Sequence, residues 1–334
     1  MKISRFADFL LALTLLLAAE AGVRLFLPHD VSGRFSYGYD QDSGFVESAD
    51  GKVQLVRAGG RRFHPQEFKR QRPPGTYRIM IIGDSVPRGP NLHAAYGGQL
   101  QGILRSHGIP AEVINLALPG FGVRRSQLVL EKALTYDPSL IILHLNDSNE
   151  YEDEREYRRS QDFQGWHPRH WLMKVFIFAR AYEIKTEKML WRLLPEKIRQ
   201  QTAVSDADAE LRASLDEAQT ARWRQRVWET TAAMVAMARE RGIDVLLVSQ
   251  GTVSKGDTGP ARIDDHGLDG LGQTLAGPGV HLVSMRQVFS PLNPLQTYFA
   301  DSAHLTPAGH RLLAEQLAGL IMKEKGTGER EGGQ

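Results

Sequence analysis

The fold depends first on the stretch Tyr77-Arg78-Ile79-Met80-Ile81-Ile82-Gly83-Asp84-Ser85. Its apolar and β-branched residues stop at a glycine, which predicts a buried parallel strand over Tyr77–Ile82. In open α/β sheets, ligands bind just outside the carboxyl ends of the strands. Ser85 follows this strand closely, so its hydroxyl is placed where a nucleophile is expected.

The composition is that of an ordinary globular protein. The 334 residues are enough for one large domain with additions or for two small ones, and 42% are hydrophobic and 24% charged, which excludes a disordered chain. The net charge of +2, without a basic stripe, predicts no nucleic-acid partner. There is no cysteine, which excludes disulfides, thiolate catalysis, cysteine-ligated metals and a lipobox anchor.

Residues 1–28 are predicted to be a membrane anchor or a signal segment. The apolar stretch Phe6–Leu27 has the length of a transmembrane helix, if Glu20 and Arg24 pair with each other one turn apart. An A-x-A-like site at 19–21 fits a cleaved signal peptide instead, and an amphipathic helix of a soluble protein is a third interpretation. The two basic residues before the stretch place the rest of the chain outside the cytoplasm. The expected location is therefore the inner membrane with a periplasmic domain, or secretion after cleavage.

Strands and helices alternate from residue 76 to about 325, which predicts one α/β domain. Apolar runs bounded by turn residues predict further strands at Ala111–Leu116, Leu140–Leu145, Asp244–Ser249 and Val280–Val283. Helical periodicity predicts helices near 94–107, 126–136, 222–241 and 307–323. This order predicts a parallel sheet covered on both faces, a three-layer α/β/α fold of flavodoxin type. Residues 29–75 are predicted to be a juxtamembrane linker with room for a small hairpin, and 326–334 a flexible tail.

Residues 150–220 interrupt the alternation and predict a helical insertion. The segment opens with a run of charges, continues with tryptophans and phenylalanines, and ends in a charged, alanine-rich stretch. Its aromatic part fits a lid, a membrane-facing patch or a surface for an envelope-protein partner. A helix packed on the domain's own core is the structural alternative.

The groups that a serine nucleophile needs occur at strand ends and before the last helix. A serine needs a base, a residue that orients the base, and donors for the oxyanion. Asp301-x-x-His304 supplies a carboxylate and an imidazole within one turn. Ser85, Gly120 and Asn146 follow the first three predicted strands, so they are expected at one sheet edge, where their amide groups would form an oxyanion hole.

These pieces resemble the sequence blocks of the SGNH, or GDSL-type, hydrolase superfamily. The resemblance covers residues 77 to about 320. The matching blocks are Gly83-Asp84-Ser85, Asn115-Leu116-Ala117-Leu118-Pro119-Gly120, His144-Leu145-Asn146-Asp147 and Asp301-x-x-His304.

The resemblance implies the fold and a role for each site residue. It implies Ser85 as the nucleophile, His304 as the base, Asp301 as its partner, and Ser85, Gly120 and Asn146 as oxyanion donors. Members are mostly esterases, lipases, thioesterases and carbohydrate O-acetyl esterases, and neither a metal nor an organic cofactor is expected. The sequence also has no His-Glu-x-x-His, no Gly-x-Gly-x-x-Gly after a strand, and no Gly-x-Ser-x-Gly elbow.

Three residues depart from the family pattern. His144 stands where the third block usually has glycine, so the backbone before Asn146 is expected to differ and Asn149 becomes a rival oxyanion donor. Pro87 and Arg88 change the loop after the nucleophile, and Arg88 places a cation near the site.

The predicted function is a serine esterase that acts outside the cytoplasm. Its expected substrate is an acyl ester, such as an O-acetyl group, on a glycan, a lipid or an envelope component. One alternative is an O-acyltransferase that uses the same residues to modify a glycan. A second is a catalytically degenerate domain that binds glycan or assembles a membrane complex, for which His144 is the one supporting feature.

Overall fold

The computed structural model describes residues 2–26, 44–58, 61–147, 149–150, 152–154, 217–254 and 261–331. Of the predicted insertion, residues 155–216 lie outside this range, as do 29–43 of the predicted linker. The predictions of a lid, a membrane-facing patch or a partner surface fall on the insertion and therefore lie outside the described residues.

The chain begins with helix α1, Lys2–Phe26. Its large apolar side chains are exposed, among them Phe6, Phe9 and Leu15. Within the part of the chain that is described, no helix is both long enough and apolar enough to cross a membrane. The transmembrane helix predicted over Phe6–Leu27 is therefore not found there.

Residues 44–58 and 61–75 fold onto the α/β unit and are not a linker. They contain five short strands, namely β1 (Phe45–Glu47), β2 (Lys52–Leu55), β3 (Arg57–Ala58), β4 (Arg61–Arg62) and β5 (Glu67–Lys69). Strands β1, β2 and β5 form an antiparallel sheet. Val53 and Phe68 are buried in the same apolar cluster as Met80, and the Phe68 ring meets the Tyr136 ring edge-on at 5.2 Å between centroids. Burial of these side chains fixes the segment against the domain.

The central sheet has five parallel strands. The remaining strands are β6 (Tyr77–Ile82), β7 (Ala111–Asn115), β8 (Leu140–Leu145), β9 (Asp244–Ser249), β10 (Thr252–Ser254), β11 (Arg262–Asp264) and β12 (Val280–Ser284). The order across the sheet is β12-β9-β8-β6-β7, and every neighbouring pair is parallel. This is the flavodoxin-type order, in which the direction of strand addition across the sheet reverses beside the first strand, β6. Strands β10 and β11 form a separate hairpin. The predicted parallel sheet is confirmed.

The alternation of side chains along β6 builds two cores. Met80 and Ile82 lie in one apolar cluster, and Ile79 and Ile81 lie in the other. All six residues of β8 are buried. A strand buried on both faces reads as a continuous apolar run, which is why the sequence identified these strands correctly.

Helices cover both faces of the sheet and give the predicted three layers. They are α2 (Ser85–Arg88), α3 (Tyr96–Ser106), α4 (Val123–Ala133), α5 (Glu217–Arg239), α6 (Leu268–Leu275), α7 (Met285–Phe289) and α8 (Pro307–Glu331), with 3₁₀ turns at Leu134–Tyr136 and Leu295–Thr297. Helices α3 and α8 pack together on one face, and α4 and α5 on the other. The last helix continues to Glu331, so the tail predicted over 326–334 is helical for most of its length.

Candidate active site

Three of the predicted site residues form one hydrogen-bonded relay. Ser85 is the first residue of α2, three residues after β6 ends. Its Oγ lies 2.8 Å from Nε2 of His304. The other ring nitrogen, Nδ1, lies 2.8 Å from Oδ2 of Asp301. The structure thus brings together two segments that are more than 200 residues apart in the chain.

The Asp301 carboxylate is held by the loop that it shares with His304. Its Oδ1 accepts the backbone N–H groups of Ala303 and His304 at 2.8 and 2.7 Å. Burial opposes ionisation of Asp301, but these two N–H groups and the imidazole outweigh it and lower the pKa of the carboxyl. An ionised Asp301 holds the proton on Nδ1 of His304. Nε2 is then free to accept the proton of Ser85.

The turn that carries Ser85 is fixed from both sides. The buried Asp84 caps α2, since its Oδ1 accepts the N–H of Val86 at 3.0 Å. A Cβ on Gly83 would lie 2.7 Å from Cγ of Pro87 and 2.9 Å from Cβ of His144, so only glycine fits there. Two of the departures from the family pattern, Pro87 and His144, therefore pack against the same glycine.

Asp84 is also the start of a polar chain that ends at Asn146. Burial raises the pKa of Asp84 to about 6, against the opposing effect of the N–H groups of Val86 and Asn149. Asn149 Nδ2 donates to Asp84 Oδ2 at 2.8 Å and to Asn146 Oδ1 at 3.2 Å. Both N–H bonds of the Asn149 amide are thereby engaged. The sequence suggested Asn149 as a rival oxyanion donor. Its amide instead binds Asp84 and Asn146, so Asn149 orients Asn146.

The other predicted oxyanion residue, Gly120, lies in the loop after β7. It adopts a left-handed backbone conformation with φ 72°, which favours glycine. Asn146 is buried directly after β8. Because the strands are parallel, both residues lie at the same sheet edge as Ser85, as predicted. Asn115 has a structural role, since its Nδ2 donates to the Pro87 carbonyl at 2.9 Å and its Oδ1 accepts the Ala117 N–H at 3.1 Å.

His144 replaces the usual glycine without placing a charge at the site. Its ring is buried and stacks on that of Tyr96, with 6.0 Å between centroids. Burial, reinforced by the nearby His310, lowers the pKa of His144 to about 3. Burial likewise lowers the pKa of His310 to about 4. Both imidazoles are therefore neutral at physiological pH.

Two supporting residues come from the segment that the sequence analysis treated as a linker. His64 Nε2 lies 3.0 Å from the Arg88 carbonyl. Gln66 bridges the backbone of Asn115, accepting its N–H at 2.9 Å and donating to its carbonyl at 2.8 Å. Arg88 itself reaches back to this segment, with Nε 3.4 Å from the Arg62 carbonyl. No local motif marks these residues, since each acts across the fold.

A metal centre was not expected from the sequence. Among the residues that the structure describes, no three His, Asp or Glu side chains are grouped so that they could hold a metal ion. The relay of Ser85, His304 and Asp301 can perform the transfer of an acyl group to a serine hydroxyl activated by an imidazole.

Comparisons with known proteins place this geometry in a family. The model of the GDSL-like lipase/acylhydrolase family matches residues 81–312. The sequence matches no curated protein at a significant level.

Several solved structures are similar to the chain. One is the acetyl xylan esterase AlAXEase, with 14% identity, a TM-score of 0.44, and coverage of 73% of this chain and 99% of that chain. TesA has 16% identity and a TM-score of 0.41, over 71% of this chain and 94% of that chain. A catalytic mutant of Axe2, an acetylxylan esterase from Geobacillus stearothermophilus, has 16% identity and a TM-score of 0.42. The similarity covers 73% of this chain and 93% of that chain.

The family match extends over most of the α/β unit. It includes the nucleophile turn at Ser85, the loops of Gly120 and Asn146, and the relay residues Asp301 and His304. Because the match covers well over half of the 334 residues, the chain belongs to the GDSL-like lipase/acylhydrolase family of ester hydrolases.

Proposed function

We propose that the protein hydrolyses acyl esters through a covalent Ser85 acyl-enzyme. The observation that carries the proposal is the relay from Ser85 Oγ through His304 to Asp301, with 2.8 Å at each link. Hydrogen-bond reach between nucleophile, base and orienting carboxylate is the geometry that nucleophilic catalysis requires.

The proposed reaction has two half-reactions. Ser85 Oγ attacks the ester carbonyl while His304 Nε2 takes its proton, and the oxyanion is stabilised by the N–H groups of Ser85, Gly120 and the Asn146 side chain. The ester C–O bond then breaks, and His304 returns the proton to the departing alcohol. In the second half, His304 takes a proton from water, whose oxygen attacks the acyl group. The bond between the acyl carbon and Ser85 Oγ then breaks, His304 returns the proton to Oγ, and the carboxylic acid is released.

The proposed substrate is a small acyl ester carried on a large hydrated molecule, such as an O-acetyl group on a glycan or another envelope component. The side chains of His304 and Asp301 are 49% and 56% exposed. A relay so open to solvent suits an ester that stays attached to a bulky carrier while it reacts.

The proposal includes a location outside the cytoplasm. It is supported by the apolar N-terminal stretch and by the exposure of Phe6, Phe9 and Leu11, which are 65%, 62% and 61% accessible on α1. Exposed apolar surface of this kind suits an apolar environment or a partner. Cell fractionation and N-terminal sequencing of the full chain test the location. A full-length chain in the soluble cytoplasmic fraction contradicts it.

Labelling of Ser85 tests the chemistry. Fluorophosphonate should label the purified protein, and Ser85→Ala should abolish both labelling and hydrolysis of p-nitrophenyl acetate. A folded wild-type protein without labelling, or undiminished hydrolysis by Ser85→Ala, contradicts the proposal.

The length of the acyl chain is tested with acetyl, butyryl and octanoyl esters, for which the rate should fall with length. Release of free acid in the presence of a glycan acceptor identifies hydrolysis, whereas acylated glycan in its place identifies acyl transfer.

A further inference from the structure

We infer that Arg125 and Asp153 position the Gly120 amide for catalysis, so that a buried ion pair beside the loop helps to fix the oxyanion hole. The inference rests on the proposed role of Gly120 as an oxyanion donor. It assigns a function to a buried ion pair that lies outside the serine relay.

Arg125 binds the backbone carbonyl of Gly120. It is the third residue of α4 and is 2% exposed. Its Nη2 donates to the Gly120 carbonyl, while its Nε donates to the Asp153 carboxylate. The guanidinium carbon lies 4.4 Å from the centroid of the Phe121 ring. One planar side chain therefore contacts the loop at two successive residues and is itself held by a carboxylate.

Asp153 accepts hydrogen bonds from the backbone that follows Gly120. It is fully buried. Its Oδ1 accepts the Gly122 N–H at 3.1 Å, and its Oδ2 accepts the Arg124 N–H at 2.9 Å. The segment from Gly120 into the first turn of α4 is therefore held at one carbonyl through Arg125 and at two amides through Asp153.

A second carboxyl from the same turn completes the contact. Glu150 Oε1 accepts the Val123 N–H at 2.9 Å. The approach is so close that a Cβ on Gly122 would lie 2.7 Å from Glu150 Oε1 and 2.8 Å from Cγ of Asp153. The glycine is thus matched to the two acidic side chains.

The consequence for Gly120 follows from its backbone conformation. With φ at 72° and no Cβ, Gly120 has wide freedom of rotation when nothing holds it. Fixing its carbonyl fixes the peptide unit that follows Gly120, and this restricts the rotations about the Gly120 Cα that set the direction of its N–H. A guanidinium can bind the carbonyl and the carboxylate at once with two differently directed N–H groups, whereas a lysine ammonium keeps the charge but loses the fork.

The test separates positioning from folding by comparing two neighbouring arginines. Arg125→Lys keeps the charge beside Asp153 but should release the Gly120 carbonyl. Arg124→Lys is the matched control, because Arg124 lies on the same turn and donates to Glu154. For hydrolysis of p-nitrophenyl acetate by the full chain, we expect Arg125→Lys to lower kcat about 10- to 100-fold with KM within about 3-fold, below the loss seen when an oxyanion donor is removed outright. The Arg124→Lys kcat should stay within about 2-fold of wild type, since it touches no oxyanion group.

Each outcome decides the matter. The double variant Arg125→Met/Asp153→Asn removes the ion pair while keeping an acceptor for the Gly122 N–H, and serves if Arg125→Lys does not fold. A folded variant with wild-type kcat, or a loss in KM alone, overturns the inference. Failure of both variants to fold also overturns it, because the Arg125–Asp153 pair would then have a structural role only. The proposed function fails separately, by absence of Ser85-dependent hydrolysis in the wild-type protein.

Discussion

Removal of the Asn149 side chain tests whether Asn146 is oriented by a chain that begins at Asp84. In Asn149→Ala, Asp84 Oδ2 loses its 2.8 Å donor and Asn146 Oδ1 loses its 3.2 Å donor. A hydrogen bond to a charged group contributes about 1.5–3 kcal/mol and a neutral one about 0.5–1.5, so we expect the free energy of unfolding to fall by roughly 2–4 kcal/mol. The pKa of Asp84, already about 6, should rise further, because the lost N–H stabilised its ionised form.

The effect on catalysis has a calculable ceiling. Removal of a whole oxyanion donor costs about 10²–10³ in kcat. Asn149→Ala leaves the Asn146 amide in place but frees it to rotate, so we expect a loss in kcat of about 10-fold or more that stays below this ceiling, with KM little changed. The loss should appear because the donor is misdirected, not because substrate binds less well.

A double-mutant cycle provides the assay. We expect Asn146→Ala/Asn149→Ala to hydrolyse p-nitrophenyl acetate no more than about 2-fold slower than Asn146→Ala alone, since two residues that act through one donor are not additive. Asn91→Ala is the control, because Asn91 likewise makes two hydrogen bonds, its Oδ1 accepting the backbone N–H groups of His93 and Ala94, but in an exposed turn. Losses that multiply in the double variant, or a wild-type kcat for a folded Asn149→Ala, refute the reasoning.

Three further predictions concern stability. Gly83→Ala should lower the free energy of unfolding by about 1–3 kcal/mol, because its Cβ would overlap Pro87 and His144; an unchanged denaturant midpoint would contradict this. Arg78→Met should cost about 3–5 kcal/mol, since the buried guanidinium is paired with a carboxylate and bonded to backbone carbonyls, while kcat of the folded enzyme stays at the wild-type value. Protonation of the two buried histidines should lower stability as pH drops below about 6.5, because His144 and His310 accept protons in the unfolded chain well before they do so in the fold, where their pKa values are about 3 and 4. Burial raises the pKa values of Asp84 and Glu150 to about 6 and 7 and acts in the opposite direction, so the test compares wild type with a variant that lacks the two imidazoles. Near pH 5 each histidine should cost about 2 kcal/mol, and urea titrations at neutral pH and at about pH 5 should show that His144→Gln/His310→Gln loses less stability, or gains more, than wild type on acidification.

The central sheet and the serine relay could be predicted because each depends on local sequence. Leu140–Leu145 was predicted to the residue, since a strand buried on both faces is an uninterrupted apolar run with polar residues at its end. Ser85 and His304 stand in short motifs at fixed positions relative to a strand or a helix. A parallel sheet brings the ends of such strands to one edge whatever the intervening loops contain.

The remaining features depend on contacts between distant segments. Helix α4 begins at Val123 and not near residue 126 as predicted, because Glu150 and Asp153 accept the N–H groups at its start. The sequence at the start of the helix does not predict this capping, because Gly122 has no side chain that could accept these N–H groups. Residues 44–75 looked like a linker for the same reason: their strands are short, and what holds them is the burial of side chains such as Phe68 against Tyr136.

The departures at Pro87 and His144 are best understood as one change in how the nucleophile turn is supported. Both side chains press on Gly83, so the absence of a Cβ at that position is what lets them coexist. Proline is tolerated in the first turn of a helix because no intrahelical bond needs its N–H there, and its carbonyl remains available to accept from Asn115. The neutral, buried His144 fills the other side of the glycine without a charge. Pro87 and His144 therefore change which side chains support the turn of Ser85. They leave Ser85 Oγ within hydrogen-bond distance of its base, 2.8 Å from His304 Nε2.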